Sequence, residues 1–167
     1  MEKDRRAYSK LKEFADQVTD AQIETRNCEL QAAISDILKF VQQGGRKSFP
    51  FVFIDPTGWA GFAMSVITPL LRLNPGEVLI NFMTGHIRRF VESPQEETQE
   101  SFAALFGSGD FRARIQGLKK EDREDALVAA YSDNVKKTGK FPYACSAIVL
   151  HPEIDRTHFH LIYVTRD

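Results

Sequence analysis

The chain has 167 residues, 43% of them hydrophobic, with 22 Lys plus Arg against 23 Asp plus Glu and a formal net charge of −1. That length suffices for one domain with a sizeable core. The near-zero charge excludes a global attraction to nucleic acid and leaves only local basic patches for such contact. The two cysteines, Cys28 and Cys145, form no metal or redox motif and read as reduced thiols, which points to a cytoplasmic protein. No apolar run is long enough to cross a bilayer, so no membrane partner is expected.

In chain order, the stretch EKDRRAYSKLKEFADQVTD places Ala7, Tyr8, Leu11, Phe14, Ala15 and Val18 on one helical face with charges opposite. AQIETRNCEL reads as a short, polar strand. LQAAISDILKFVQQGG repeats the helical period through Ile34, Ile37, Leu38 and Val41, and Gly44 and Gly45 stop it. SFPFVFID is a continuous β-rich run without alternation, the pattern of a strand buried on both faces. A helix over GFAMSVITPLLRL, the turn NPGE, a second buried strand EVLINFM and a helix TGHIRRFVE follow. Strand, helix, strand, helix implies right-handed parallel crossovers, with Phe51–Ile54 and Val78–Phe82 as neighbours at the sheet centre.

From about 94 to 140 the chain is polar and helical, with helices near 95–106 and 121–138 around GSGDFRARIQGLKK, a loop or short helix. YACSAIVL and THFHLIYVT, separated by HPEIDR, predict an antiparallel hairpin. The expected fold class is therefore α/β. It is a partial Rossmann-like methyltransferase sheet, mostly parallel with a C-terminal antiparallel hairpin, helices on both faces, and a helical insert at about 94–140 in a single domain.

The chemistry concentrates where FVFI ends in DPTGW. Strands of open α/β sheets finish this way when their carboxyl ends face a ligand. Pro56 sets φ and Gly58 permits a tight path, so the turn aims the Asp55 carboxylate and nearby amides into a crevice. Asp55 either accepts hydrogen bonds from a substrate or fixes the turn through its own backbone. Trp59 either stacks on a substrate or packs in the core. Asn81 and Met83 belong at the same end of the sheet. His86, Arg88 and Arg89 open the next helix and read either as a phosphate-contacting cluster or as a solvated face. FRARIQGLKK has the same two readings. His158 and His160 share a strand face by period two, and with His151 they lack a third ligand at metal spacing, so a surface or hairpin role is expected rather than zinc.

Four segments, FVFIDPTGW, GEVLINFMTGHIRRF, LVAAYSDNVKKTGKFPY and THFHLIYVT, together resemble the three-Cys-motif partner protein family. The resemblance covers nearly the whole chain, and Asp55–Trp59 and Asn81–Phe90 are its most specific parts. It implies a methyltransferase using S-adenosylmethionine, acting on an amino nitrogen, with nucleic acid as the substrate class. Asp55 and Pro56 would be catalytic, and Thr57, Gly58, Trp59, Asn81, His86, Arg88 and Arg89 would bind substrate. The family's opening strand and glycine-rich cofactor turn have no counterpart here, so the chain resembles an internal or truncated piece. By analogy Glu2 would hold the cofactor ribose, and Asn27 and Cys28 would border the adenine. The implied partner is a three-Cys-motif protein. The alternatives are an inactive scaffold or a complementing fragment. An open edge at Phe51–Ile54 leaves three outcomes: insertion of AQIETRN as a replacement strand, which is the one expected, self-association through that edge, or poor stability with aggregation.

Overall fold

The structure, a computed structural model, describes residues 1–154 and 156–167, with every side chain among them except that of His86. It is an α/β fold with a four-stranded mixed sheet. Helices α1 (Arg5–Gln17) and α2 (Leu30–Gln43) lead through a short 3-10 turn at Gly45–Lys47 into β1 (Phe51–Ile54). Next come α3 (Met64–Leu71), β2 (Glu77–Phe82), α4 (Thr84–Phe90), α5 (Glu96–Phe106), α6 (Phe111–Ile115) and α7 (Arg123–Gly139). The hairpin strands β3 (Tyr143–Leu150) and β4 (Thr157–Thr165) complete the order. No helix among the described residues is long and apolar enough to cross a membrane.

The sheet order is β1-β2-β4-β3. β1 runs parallel to β2, with Phe53 opposite Leu79. β4 is antiparallel to both neighbours, with Phe82 opposite His160 on one side and Ile148 opposite His160 on the other. The central pair is β2 and β4. β1 lies at the edge, which corrects the expected central position, because the hairpin docks its second strand against β2.

β1 also departs from the expectation of burial on both faces. Its residues alternate: Ile54 is 6% exposed, whereas Phe51 and Phe53 are 56% and 54% exposed. β2 alternates too, with Val78, Ile80 and Phe82 buried and Leu79 and Asn81 half-buried. One sheet face thus carries the core and the other is open, where helices on both faces were expected. The covered side is built by α3, α4, α5 and α7, which supply Ile67, Leu71, Ile87, Phe102, Phe106, Leu127 and Tyr131. The segment expected to be an insert is part of this core: Phe82 stacks on Tyr131 at 4.4 Å, and Phe106 stacks on Phe111 at 4.4 Å. Each fully buried side chain of this size stabilises the fold by about 1.5–3 kcal/mol.

Residues 21–30 form no strand, contrary to the expectation for AQIETRNCEL. Their polar side chains find local partners instead: Arg26 reaches Asp36 at 3.3 Å and Glu24 at 2.7 Å. AQIETRN therefore does not enter the sheet, and among the described residues the outer edge of β1 carries no strand. At the other end of the molecule, Arg166 donates to the carbonyls of Leu71, Leu73, Gly139 and Lys140. This ties the end of β4 to the last turns of α3 and α7 and places the guanidinium 4.2 Å from the Phe141 ring.

Candidate functional site

β1 and β2 are parallel, so their carboxyl ends lie together. Phe51, Phe53 and Asp55 alternate with buried Ile54, and Asn81 alternates with buried Ile80 and Phe82. The two polar residues consequently meet past the end of the β1–β2 ladder: Asn81 Nδ2 donates to Asp55 Oδ1 at 2.7 Å. Asp55 is exposed, and its second oxygen has no partner among the described residues. Asn81 Oδ1 is buried and accepts no hydrogen bond from them. The accessible spare acceptor of the pair is therefore the second oxygen of exposed Asp55, while the second Nδ2 hydrogen of Asn81 has no acceptor among the described residues.

The turn beyond Asp55 runs through half-buried Pro56, exposed Thr57 and half-buried Gly58 to Trp59. Trp59 is half-buried against the core. Its ring lies 5.3 Å from both Phe90 of α4 and Phe102 of α5. The aromatic contacts favour the packing reading of Trp59.

α4 does not present two free arginines. Arg88 Nη1 lies 3.0 Å from Glu124 Oε2, and Arg89 is exposed. His86 lies in the same helix, and its side chain is outside the described part of the structure. Glu124 is the centre of a polar cluster that sequence reasoning missed. Thr84 donates to its Oε1 at 2.6 Å, and His160 Nε2 lies 3.4 Å from the same oxygen. Thr84, Glu124 and His160 are 1%, 8% and 2% exposed, so of the two roles expected for His160, surface or hairpin, the buried hairpin position is the one found. The signal was available: His160 shares its strand face with Ile162 and Val164, which are fully buried. The acid that meets it comes from a distant helix and had no local signature. His151 and His158 stack edge to face at 5.5 Å on the hairpin. No metal-holding group of His, Cys, Asp or Glu occurs among the described residues.

The residues expected to hold a cofactor come together, but for another purpose. Glu2 Oε1 accepts from the Asp4 amide at 2.8 Å, and Asn27 Nδ2 donates to the Glu2 carbonyl at 2.8 Å. The Glu2 amide donates to the Arg26 carbonyl at 3.0 Å, and Cys28 is half-buried beside this closure. These bonds tie the start of α1 to the approach to α2. A ribose needs a carboxylate open to two hydroxyls, and an adenine needs an apolar slot with a free amide. The groups present do not fit S-adenosylmethionine.

Shallow concavities on α1 near Tyr8 and Glu13, and at the α7–β3 turn near Lys136 and Phe141, lie on other parts of the surface from the Asp55 turn. Comparison with protein-family models, with curated proteins and with solved structures finds no match to this chain.

Proposed function

We propose that this chain is a methyltransferase-like domain whose strand-end pair, Asp55 and Asn81, receives an amino nitrogen of an unpaired nucleobase. The observation that carries this reading is an exposed carboxylate, Asp55, held through one oxygen by Asn81 and open at the other, at the carboxyl ends of two parallel strands. An exocyclic amino group has two N–H donors, and a strand-end carboxylate accepts them while leaving the nitrogen lone pair directed outward. The parallel crossover through α3 and the DPTGW turn also support it, by analogy of fold and motif. Pro56, Thr57 and Gly58 make the turn, and Arg89 is exposed on α4. Because the groups at Glu2, Asn27 and Cys28 do not fit the cofactor, no transfer step is assigned to this chain's own residues. That misfit favours a second reading, a non-catalytic partner of a three-Cys-motif protein.

Trp59 is the single tryptophan, so its emission reports on this turn. On titration with a single-stranded oligonucleotide rich in adenine and cytosine, Asp55→Ala is expected to weaken binding about 10-fold, the equivalent of one charged hydrogen bond. A thymine-only strand, which has no exocyclic amino group, should bind both proteins equally. Equal weakening for both strands, or none for either, refutes the amino-group reading and favours the non-catalytic one.

A further inference from the structure

Two apolar surfaces are incompletely covered among the described residues. The first is the open sheet face. Phe51, Phe53 and Tyr143 are 56%, 54% and 59% exposed, and between them stand the half-buried Leu79, Leu161 and Tyr163. An aromatic side chain offers ~150–250 Å², so each of the three leaves about 100 Å² in water. With the flanking residues the patch reaches the upper range for a monomer surface, ~300–600 Å². The second surface is the stripe of α1. This helix is amphipathic, and the Tyr8, Leu11, Ala15 and Val18 side of its stripe is only half-buried, while Phe14 at the middle of the stripe is 60% exposed.

We propose that these surfaces cover one another between two copies of the chain, α1 of each lying across the open sheet face of the other. Three observations favour this occupant. The helix is long enough: thirteen helical residues span ~20 Å, more than the ~14 Å between the outer strands of a four-stranded sheet. The charges match as well. Asp55 and Glu77 border the open face, whereas α1 carries Arg5, Arg6, Lys10 and Lys12 against Glu13 and Asp16. Packing two open faces directly together would bring the acids of both copies into one interface, at a desolvation cost. Finally, the reciprocal arrangement engages a sheet face and a helix stripe on each copy. That approaches the ~800 Å² per partner of a stable interface, which a single contact does not.

The contact forms in trans because α1 is held away from its own sheet. The Glu2 amide bonds to the Arg26 carbonyl, Asn27 bonds back to Glu2, and α2 then packs on α3 on the covered side. The test uses Phe14 and Phe53 and no nucleic acid, so its failure is distinguishable from failure of the Asp55 reading.

Sedimentation velocity of the full chain is the test, run on the wild type, Phe53→Lys and Phe14→Lys. Both side chains are exposed, so neither substitution disturbs the core, and circular dichroism should be unchanged. Phe51→Lys, on the same face, replaces Phe53→Lys if that variant unfolds. The wild type is expected at twice the 19.0 kDa chain mass, and variants on either surface at the monomer mass. A wild type that stays monomeric at every concentration overturns the proposal. So does a dimer that Phe14→Lys leaves intact, because such a dimer uses the sheet face or the β1 edge without α1.

Discussion

At the level of single residues, polar groups on the two sides of the sheet are settled differently. Glu77 starts β2 on the open side, where the Tyr163 hydroxyl and then that of Thr165 donate to its carboxylate, the latter at 2.7 Å. These bonds hold its pKa below the ordinary 4.5, and the same contact with Glu77 raises that of Tyr163. A depressed carboxyl pKa means that the native state binds its proton less readily than the unfolded chain. The stabilisation is therefore complete above 4.5 and disappears as pH falls through the lower native value. Thermal melts of Glu77→Gln should lose this part of the acid limb, so that wild type and variant converge at low pH and separate near neutrality. Parallel pH profiles would contradict the assignment. On the covered side, Tyr131 is stacked on Phe82, and burial pushes its hydroxyl pKa well above the usual tyrosine range. Glu124 accepts from Thr84 and Arg88 there, so removing that carboxylate strands two polar groups at once.

At the level of elements, the ends matter as much as the faces. α1 starts with Asp4, whose side chain accepts from the Ala7 amide at 2.8 Å, a local cap that forms without tertiary help. α5 ends at Gly107, whose φ of 76° is left-handed. A Cβ at Gly107 would also stand 2.9 Å from Met64 Cγ at the start of α3. Backbone conformation and packing thus require glycine at the same position. Gly107→Ala is expected to lower unfolding free energy by about 1–2 kcal/mol from the left-handed backbone alone, with the Met64 contact adding to it. Urea unfolding measures the change. An unaltered midpoint at unaltered slope would show that α5 can end elsewhere.

At the level of the whole molecule, burial is uneven. β2 and β4 lie inside the sheet and hold Ile80, Phe82, Ile162 and Val164 at 0% exposure. Residues 19–29 have no regular structure and are mostly exposed. Native-state hydrogen exchange should follow that gradient, because amides in packed central strands open only with global unfolding while surface segments open locally. The slowest amides are expected in β2 and β4, and residues 19–29 should exchange fastest among the internal segments. Protection of 19–29 equal to that of β2 would mean that this segment is held by more than the Glu2, Arg26 and Asn27 bonds.

Local pattern alone determined several features. The 3.6 period of Leu11, Phe14 and Val18 located α1, and Gly44 and Gly45 located the end of α2. The apolar runs at Phe51 and Val78 located β1 and β2, and their single-helix connection implied parallel pairing. The same polarity put Asp55 and Asn81 at one end of the sheet, and the 2.7 Å bond between them is its direct consequence. Tertiary structure decided the rest. FVFI reads identically whether one face or both are covered, since a strand's own residues do not record what packs above them. The polar run around Arg26 is compatible with an edge strand or a loop, and only the competing bonds to Asp36 and Glu2 chose between them. Trp59 sits in an aromatic cluster with Phe90 and Phe102, residues 31 and 43 positions along the chain. Glu124 and His160 approach within 3.4 Å across 36 positions. Pairings over such separations depend on how helices stack on the sheet, and no periodicity within either segment encodes that stacking.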